Sequence, residues 1–125
     1  MNCTCTSIKS PLEWVIKSGA RFRVQITLRD PRTGKVFDLT NYTVKSHFRL
    51  NQYDYSLPAQ WPAVIDITAP TKGKFTLTLL PQTTMYMCGH GRGFFDVELH
   101  STLDPTDIRR PLEGTWTATL EVTIG

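Results

Sequence analysis

Apolar and polar residues alternate with a period of two through most of this 125-residue chain. From Arg21, the residues Phe22, Val24, Ile26 and Leu28 alternate with Arg21, Arg23, Gln25, Thr27 and Arg29. Successive side chains of a strand point to opposite faces, so this spacing predicts a strand with one apolar face and one wet, basic face. Asp30-Pro31-Arg32-Thr33-Gly34-Lys35 has turn chemistry, and the short return Val36-Phe37-Asp38-Leu39 predicts a hairpin. Tyr42, Val44, Ser46, Phe48 and Leu50 then share a face, opposite Thr43, Lys45, His47 and Arg49. Residues 64–67 read as a short strand, followed by a turn over Pro70 to Gly73 and by the inward row Phe75, Leu77 and Leu79. Pro81-Gln82-Thr83-Thr84-Met85 is given a short helical turn, with proline at a first helical position that has no N–H partner to lose. Gly89, Gly91 and Gly93 interrupt the chain before the row Phe95, Val97 and Leu99. Ser101 to Asp107 is a polar turn. A closing strand sets Leu112, Gly114, Trp116, Ala118, Leu120 and Val122 on one face, and Leu12, Trp14 and Ile16 alternate with polar neighbours near the front.

Seven or eight short strands with turn signals between them and no amphipathic helix predict an all-β, antiparallel sandwich or barrel. The predicted core is Phe22, Val24, Ile26, Val44, Phe48, Leu77, Val97, Leu99 and Trp116. The organisation expected is an N-terminal arm over residues 1–10 and one domain over residues 11–125. Composition agrees: 40% hydrophobic and 20% charged residues are globular values. Fourteen Lys and Arg against 11 Asp and Glu leave a net charge of +3, which neither demands nor forbids an anionic partner. No apolar run approaches the roughly 20 residues that a membrane helix needs. The first residues have neither a basic start nor an apolar stretch, so no signal peptide is expected. Three cysteines, an odd number, argue for a reducing compartment rather than a disulfide scaffold.

Several segments, in order, resemble one family. Ser18-Gly19-Ala20-Arg21-Phe22-Arg23-Val24 is similar to the opening strand of the immunoglobulin-like β-sandwich module of tailed-phage virion proteins. Asp38-Leu39-Thr40-Asn41-Tyr42-Thr43-Val44 resembles that family's Asp-Leu-Thr-Gly-Tyr-Thr run, with Asn41 in place of glycine. Asn visits the left-handed region readily, so the change is tolerable. Lys72-Gly73-Lys74-Phe75-Thr76-Leu77-Thr78-Leu79, the Pro81-Gln82-Thr83-Thr84 turn, Phe95-Asp96-Val97-Glu98-Leu99 and Leu112-Glu113-Gly114-Thr115-Trp116-Thr117 continue the likeness over residues 18–124. The resemblance extends to the N-terminal domain of baseplate upper proteins and to small head or tail accessory proteins. It implies an immunoglobulin-like sandwich that is a non-enzymatic structural component of a tailed-phage virion, docking on head, neck or tail. The implied partners are other virion proteins, in a homo-oligomer or multimeric array assembled in the host cytoplasm, with no membrane and no nucleic acid.

The chemistry-bearing residues give no catalytic constellation. Ser46 and His47 are adjacent in a strand and face opposite ways, so they form no dyad. Asp96 and Glu98 share a face beside His100 and read as a solvated surface. Cys3, Cys5, Cys88 and His90 are ligand types that zinc accepts. Each pair has one intervening residue where zinc motifs have two to four, so ordinary thiols and a surface histidine rank above a metal site, and no cofactor is expected. Arg21, Arg23 and Arg29, with Lys45 and Arg49, read as a solvated outer face, because they lack the interleaved aromatics of a single-strand binding platform. Gly89-His90-Gly91-Arg92-Gly93 is no phosphate loop, since no helix pattern follows it. Residues 51–62 lack periodicity and carry Tyr53, Tyr55 and Trp61, which fits a protein interface; the rival is a carbohydrate-binding β-sandwich that uses the same aromatic loop. The arm, with Thr4, Thr6 and Ile8 in a β-compatible run, is expected to add a strand to a neighbouring subunit.

Overall fold

The computed structural model describes residues 2–5, 12–50 and 60–119, with the backbone alone described for residues 2–5 and Cys88. Two sheets form an all-β sandwich. The first has strand order β1-β3-β7-β6, from Asn2–Cys5, Phe22–Leu28, Lys74–Leu79 and Val64–Ala69. The second has order β2-β9-β8-β4-β5, from Leu12–Lys17, Ile108–Thr119, Arg92–Ser101, Tyr42–Arg49 and Gln60–Pro62.

The alternation read from the sequence becomes alternating burial. Val24, Ile26 and Leu28 of β3 and Phe75, Leu77 and Leu79 of β7 are buried against Phe48, Phe95, Val97, Leu99, Leu112 and Trp116 of the facing sheet. Of the predicted core, Phe22 alone is half-buried, packed on the edge of the cluster. Leu39 is buried as well, but Val36-Phe37-Asp38-Leu39 is no hairpin strand. It makes a single bridge, Arg29 to Val36, before the chain crosses to the other sheet.

Two features depart from the antiparallel expectation, and a third departs from the loop expected over residues 51–62. β1 runs parallel to β3, pairing Asn2 with Gln25 through Cys5 with Leu28, so this part of the arm lies on its own sheet rather than waiting for a neighbour. β2 runs parallel to β9, and β5 is a three-residue edge strand paired with the end of β4. Both β1 and β5 are too short for period two to stand out. The helical turn is also longer than expected: α1 covers Pro81–Cys88, joins β7 to β8, and packs on β2 and β9. Its Met87 enters the core and its buried Thr84 donates from Oγ1 to the Ala20 carbonyl at 2.8 Å, tying the helix to the start of β3.

Two glycines let aromatic rings cross a strand. Gly114 of β9 sits between Phe95 on β8 and Leu12 on β2. With no Cβ in the way, the Phe95 ring passes over Gly114 and stacks on Trp14, centroids 4.0 Å apart and planes 8° apart. Gly93 of β8 does the same for Trp116 of β9, whose Nε1 donates to the Arg49 carbonyl on β4 at 3.2 Å and the Phe94 carbonyl at 3.1 Å.

Candidate functional site

On the outer face of the second sheet, β4 and β8 put His47 directly opposite Asp96, and Lys45 opposite Glu98. A bulge in β9, between the Val97–Leu112 and Leu99–Arg109 pairs, gives β9 one extra residue there. Such a bulge re-aims side chains, and here Arg110 reaches Asp96 and Glu98. Its Nε lies 3.4 Å from Asp96 Oδ2, and its Nη2 lies 3.4 Å from Glu98 Oε2. Arg49 Nη1 donates to the same Asp96 oxygen at 2.8 Å. Asp96 and Arg49 are only 4% and 2% exposed, so the surface expected to be solvated has a buried ion pair at its centre.

His47, Asp96 and Glu98 bring ligand-type atoms to within 4.8 Å of one another. Among the described residues, His47 Nδ1 and Asp96 Oδ1 are buried without a hydrogen-bond partner. Burial, followed by the charge of Arg49, holds the His47 imidazole below its ordinary 6.5, which favours the neutral, ligating form. Two guanidiniums nevertheless already neutralise the carboxylates a cation would need, and a divalent ion would face both at close range. The arrangement is a charge-compensated strut joining β4, β8 and the β9 bulge.

The lowered His47 value has a consequence for stability. Protonation is harder in the folded chain than in the unfolded one, so the unfolded state binds more protons as the pH falls below 6.5. Stability should therefore decline from that pH downward until the lowered folded value is passed. Arg49 and Lys45 oppose the protonated ring, and Asp96 and Glu98 favour it. Urea titrations between pH 7.5 and 5 should show a shallower decline for His47→Gln than for the parent; equal slopes would exclude this role for His47.

The other residues singled out in the sequence are dispersed. Arg21, Arg23 and Arg29 belong to the first sheet or its end, whereas Lys45 and Arg49 belong to the second. The outer faces of two packed sheets point apart, so these five form no common basic face, and Arg49 is buried. Cys3 and Cys5 stand on β1 beside Ile26 and Leu28, towards the end of β3 away from Ala20, to which α1 is tied. The side chains of Cys3, Cys5 and Cys88 lie outside the described residues, as do Tyr53 and Tyr55. Trp61 is half-buried, its ring centroid 5.6 Å from that of His90 and 6.1 Å from that of Trp116. Two residues read for different purposes thus meet at one end of the sandwich. Beside them a hollow of about 640 Å³ is lined by residues that include Leu50, His90, Phe94 and Trp116. Asp96 and Glu98 were visible as an i, i+2 pair. Their arginine partners, 47 and 12 residues away, carried no local signal.

No protein-family model and no curated protein sequence matches the chain. Among solved structures, the chain is similar to the N-terminal domain of phage TP901-1 ORF48, with a TM-score of 0.50 and 8% identity over 98% of this chain and 100% of that one. This likeness is to a phage protein, and it shows a shared fold. A chain from a structure of T-cell activation by the bacterial superantigen toxic shock syndrome toxin-1 matches with a TM-score of 0.49, at 14% identity over 87% of this chain and 94% of that one. Among the described residues no helix is long and apolar enough to cross a membrane.

Proposed function

We propose that this chain is a non-enzymatic structural component of a tailed-phage virion, an assembly or docking module on head, neck or tail. The observation that carries the reading is the end-to-end likeness to the phage ORF48 N-terminal domain, which leaves almost nothing of either chain unmatched. The candidate site supports it as well. Asp96 is buried and held by two guanidiniums, so its place in the fold is that of a strut rather than of a group that meets a substrate.

Strand order supports the immunoglobulin-like part of the reading. Lettered along the chain, with β2 as a continuation of strand A, the sheets run A-B-E-D and A′-G-F-C-C′. The immunoglobulin sandwich sets A-B-E-D against G-F-C in the same order, which supports the reading. The inter-sheet disulfide of antibody domains has no counterpart, since β3 and β8 contain no cysteine, and the stacked Trp14 and Phe95 are buried in the core instead.

The module is read as assembling in the host cytoplasm and working in the particle, among other virion proteins or in an array of its own copies. Mass spectrometry of purified virions should find it at several copies per particle. Its absence would overturn the proposal. The carbohydrate-binding rival needs an exposed aromatic ring to stack on a sugar, and of the loop's aromatics the one described, Trp61, is half-buried against His90 and Trp116. A glycan array should accordingly be blank.

A further inference from the structure

At the other end of the sandwich, where the chain crosses from β3 to β4, the sheets part around a cavity of about 390 Å³. Leu28, Phe37, Leu99, Pro31 and Pro111 give it apolar walls, and Arg29, Arg32, Arg109 and Arg110 stand around it with one acid, Asp30. The charge of Arg110 is matched by Asp96 and Glu98. The other three guanidiniums have lighter duties. Arg29 donates to the Gly34 carbonyl, and Arg32, its side chain 90% exposed, lies 3.8 Å from Asp30.

Arg109 is held in place by three neighbours. Its Nε lies 3.1 Å from Asp107 Oδ1, and its guanidinium carbon lies 5.6 Å from the centroid of Phe37 and 5.8 Å from that of Tyr42. Ring and carboxylate together fix the plane of the guanidinium, while the bond through Nε leaves the two terminal nitrogens for another acceptor. A fixed guanidinium loses less freedom on binding a carboxylate, and two parallel N–H donors match its two oxygens.

We propose that this cavity binds an acidic peptide segment of a partner protein, one apolar side chain entering between carboxylates that meet Arg29, Arg32 and Arg109. The concavity and its apolar walls favour a peptide over nucleic acid, whose phosphates are met by an extended basic surface rather than an apolar hollow. The proposal is independent of the virion reading. Absence from particles would leave it standing, and an empty titration would leave the virion reading standing.

The test is a nuclear magnetic resonance titration of the whole chain with acetyl-Glu-Leu-Asp-Phe-Glu-amide, its Gln/Asn counterpart, and a single-stranded oligonucleotide. The acidic peptide should shift the amides of Leu28, Phe37, Leu99 and Arg109 saturably. The neutral counterpart should bind at least about tenfold more weakly, the equivalent of one charge-assisted contact. The exposed double variant Arg29→Glu/Arg32→Glu, which leaves the core untouched, should lose binding to the same degree. The proposal fails if those amides do not move, if the neutral peptide binds equally well, if the double variant binds like the parent, or if the oligonucleotide competes for the same amides.

Discussion

Gly114→Ala and Gly93→Ala should each destabilise the chain by about 3 kcal/mol, the upper end of the ordinary overpacking range. A Cβ on Gly114 would stand 2.3 Å from the Leu12 carbonyl oxygen and 2.6 Å from the Phe95 ring. On Gly93 it would stand 2.1 Å from the Arg49 carbonyl oxygen and 2.6 Å from the Trp116 indole. In both cases one obstacle is backbone of a neighbouring strand, and the other is a ring already held between two strands. Neither can swing aside as an exposed side chain would. Moving the Trp116 indole would also break its bonds to the carbonyls of Arg49 and Phe94. Against a total stability of roughly 5–15 kcal/mol, the loss should lower the melting temperature by about 10 °C. Gly89→Ala is the control. Its φ is −64° and the nearest atom to a new Cβ is 3.6 Å away, so it should be neutral or slightly stabilising. If Gly93→Ala and Gly89→Ala melt together, the ring-over-glycine account is wrong.

These glycines also mark how far the sequence could be read. The inward rows of β3, β4, β7, β8 and β9 were legible because burial on one face imposes period two on the residues themselves. From the sequence Gly93 reads as an interruption before a strand, since glycine weakens a lone strand. In the fold it lies inside β8, where its missing side chain is filled by Trp116 from the next strand. That reason resides in a different strand, and no local rule contains it. β1 and β5, with four and three residues, are held by their neighbours rather than by any pattern of their own. The candidate site was half legible in the same sense. The i, i+2 spacing put Asp96 and Glu98 on one face, but the wetness of that face depended on Arg49 from β4 and on a bulge that re-aims Arg110. The cavity at the β3–β4 crossing was not legible, because its walls come from three strands and a loop that meet only in the fold.

Asp96→Ala should destabilise the chain by about 3 kcal/mol or more, the usual result of removing one partner from a buried ion pair. The substitution removes the carboxylate that Arg49 meets at 2.8 Å while the guanidinium stays only 2% exposed, out of reach of much water. Desolvation of that charge is then offset far less well. Arg110→Met should cost much less, about 1 kcal/mol at most, because its side chain is 38% exposed and water can replace what it loses. Replacing both members of the central pair, Arg49→Met with Asp96→Leu, should recover most of the loss, since the desolvation cost goes with the charges. Urea unfolding of Arg49→Met, Asp96→Leu and the double variant measures this coupling directly. A double variant as unstable as the sum of the singles would show that the two side chains act independently. The strut between β4 and β8 would then rest on their backbone pairing and on the Ser46 hydroxyl, which donates to the Asp96 carbonyl at 2.7 Å.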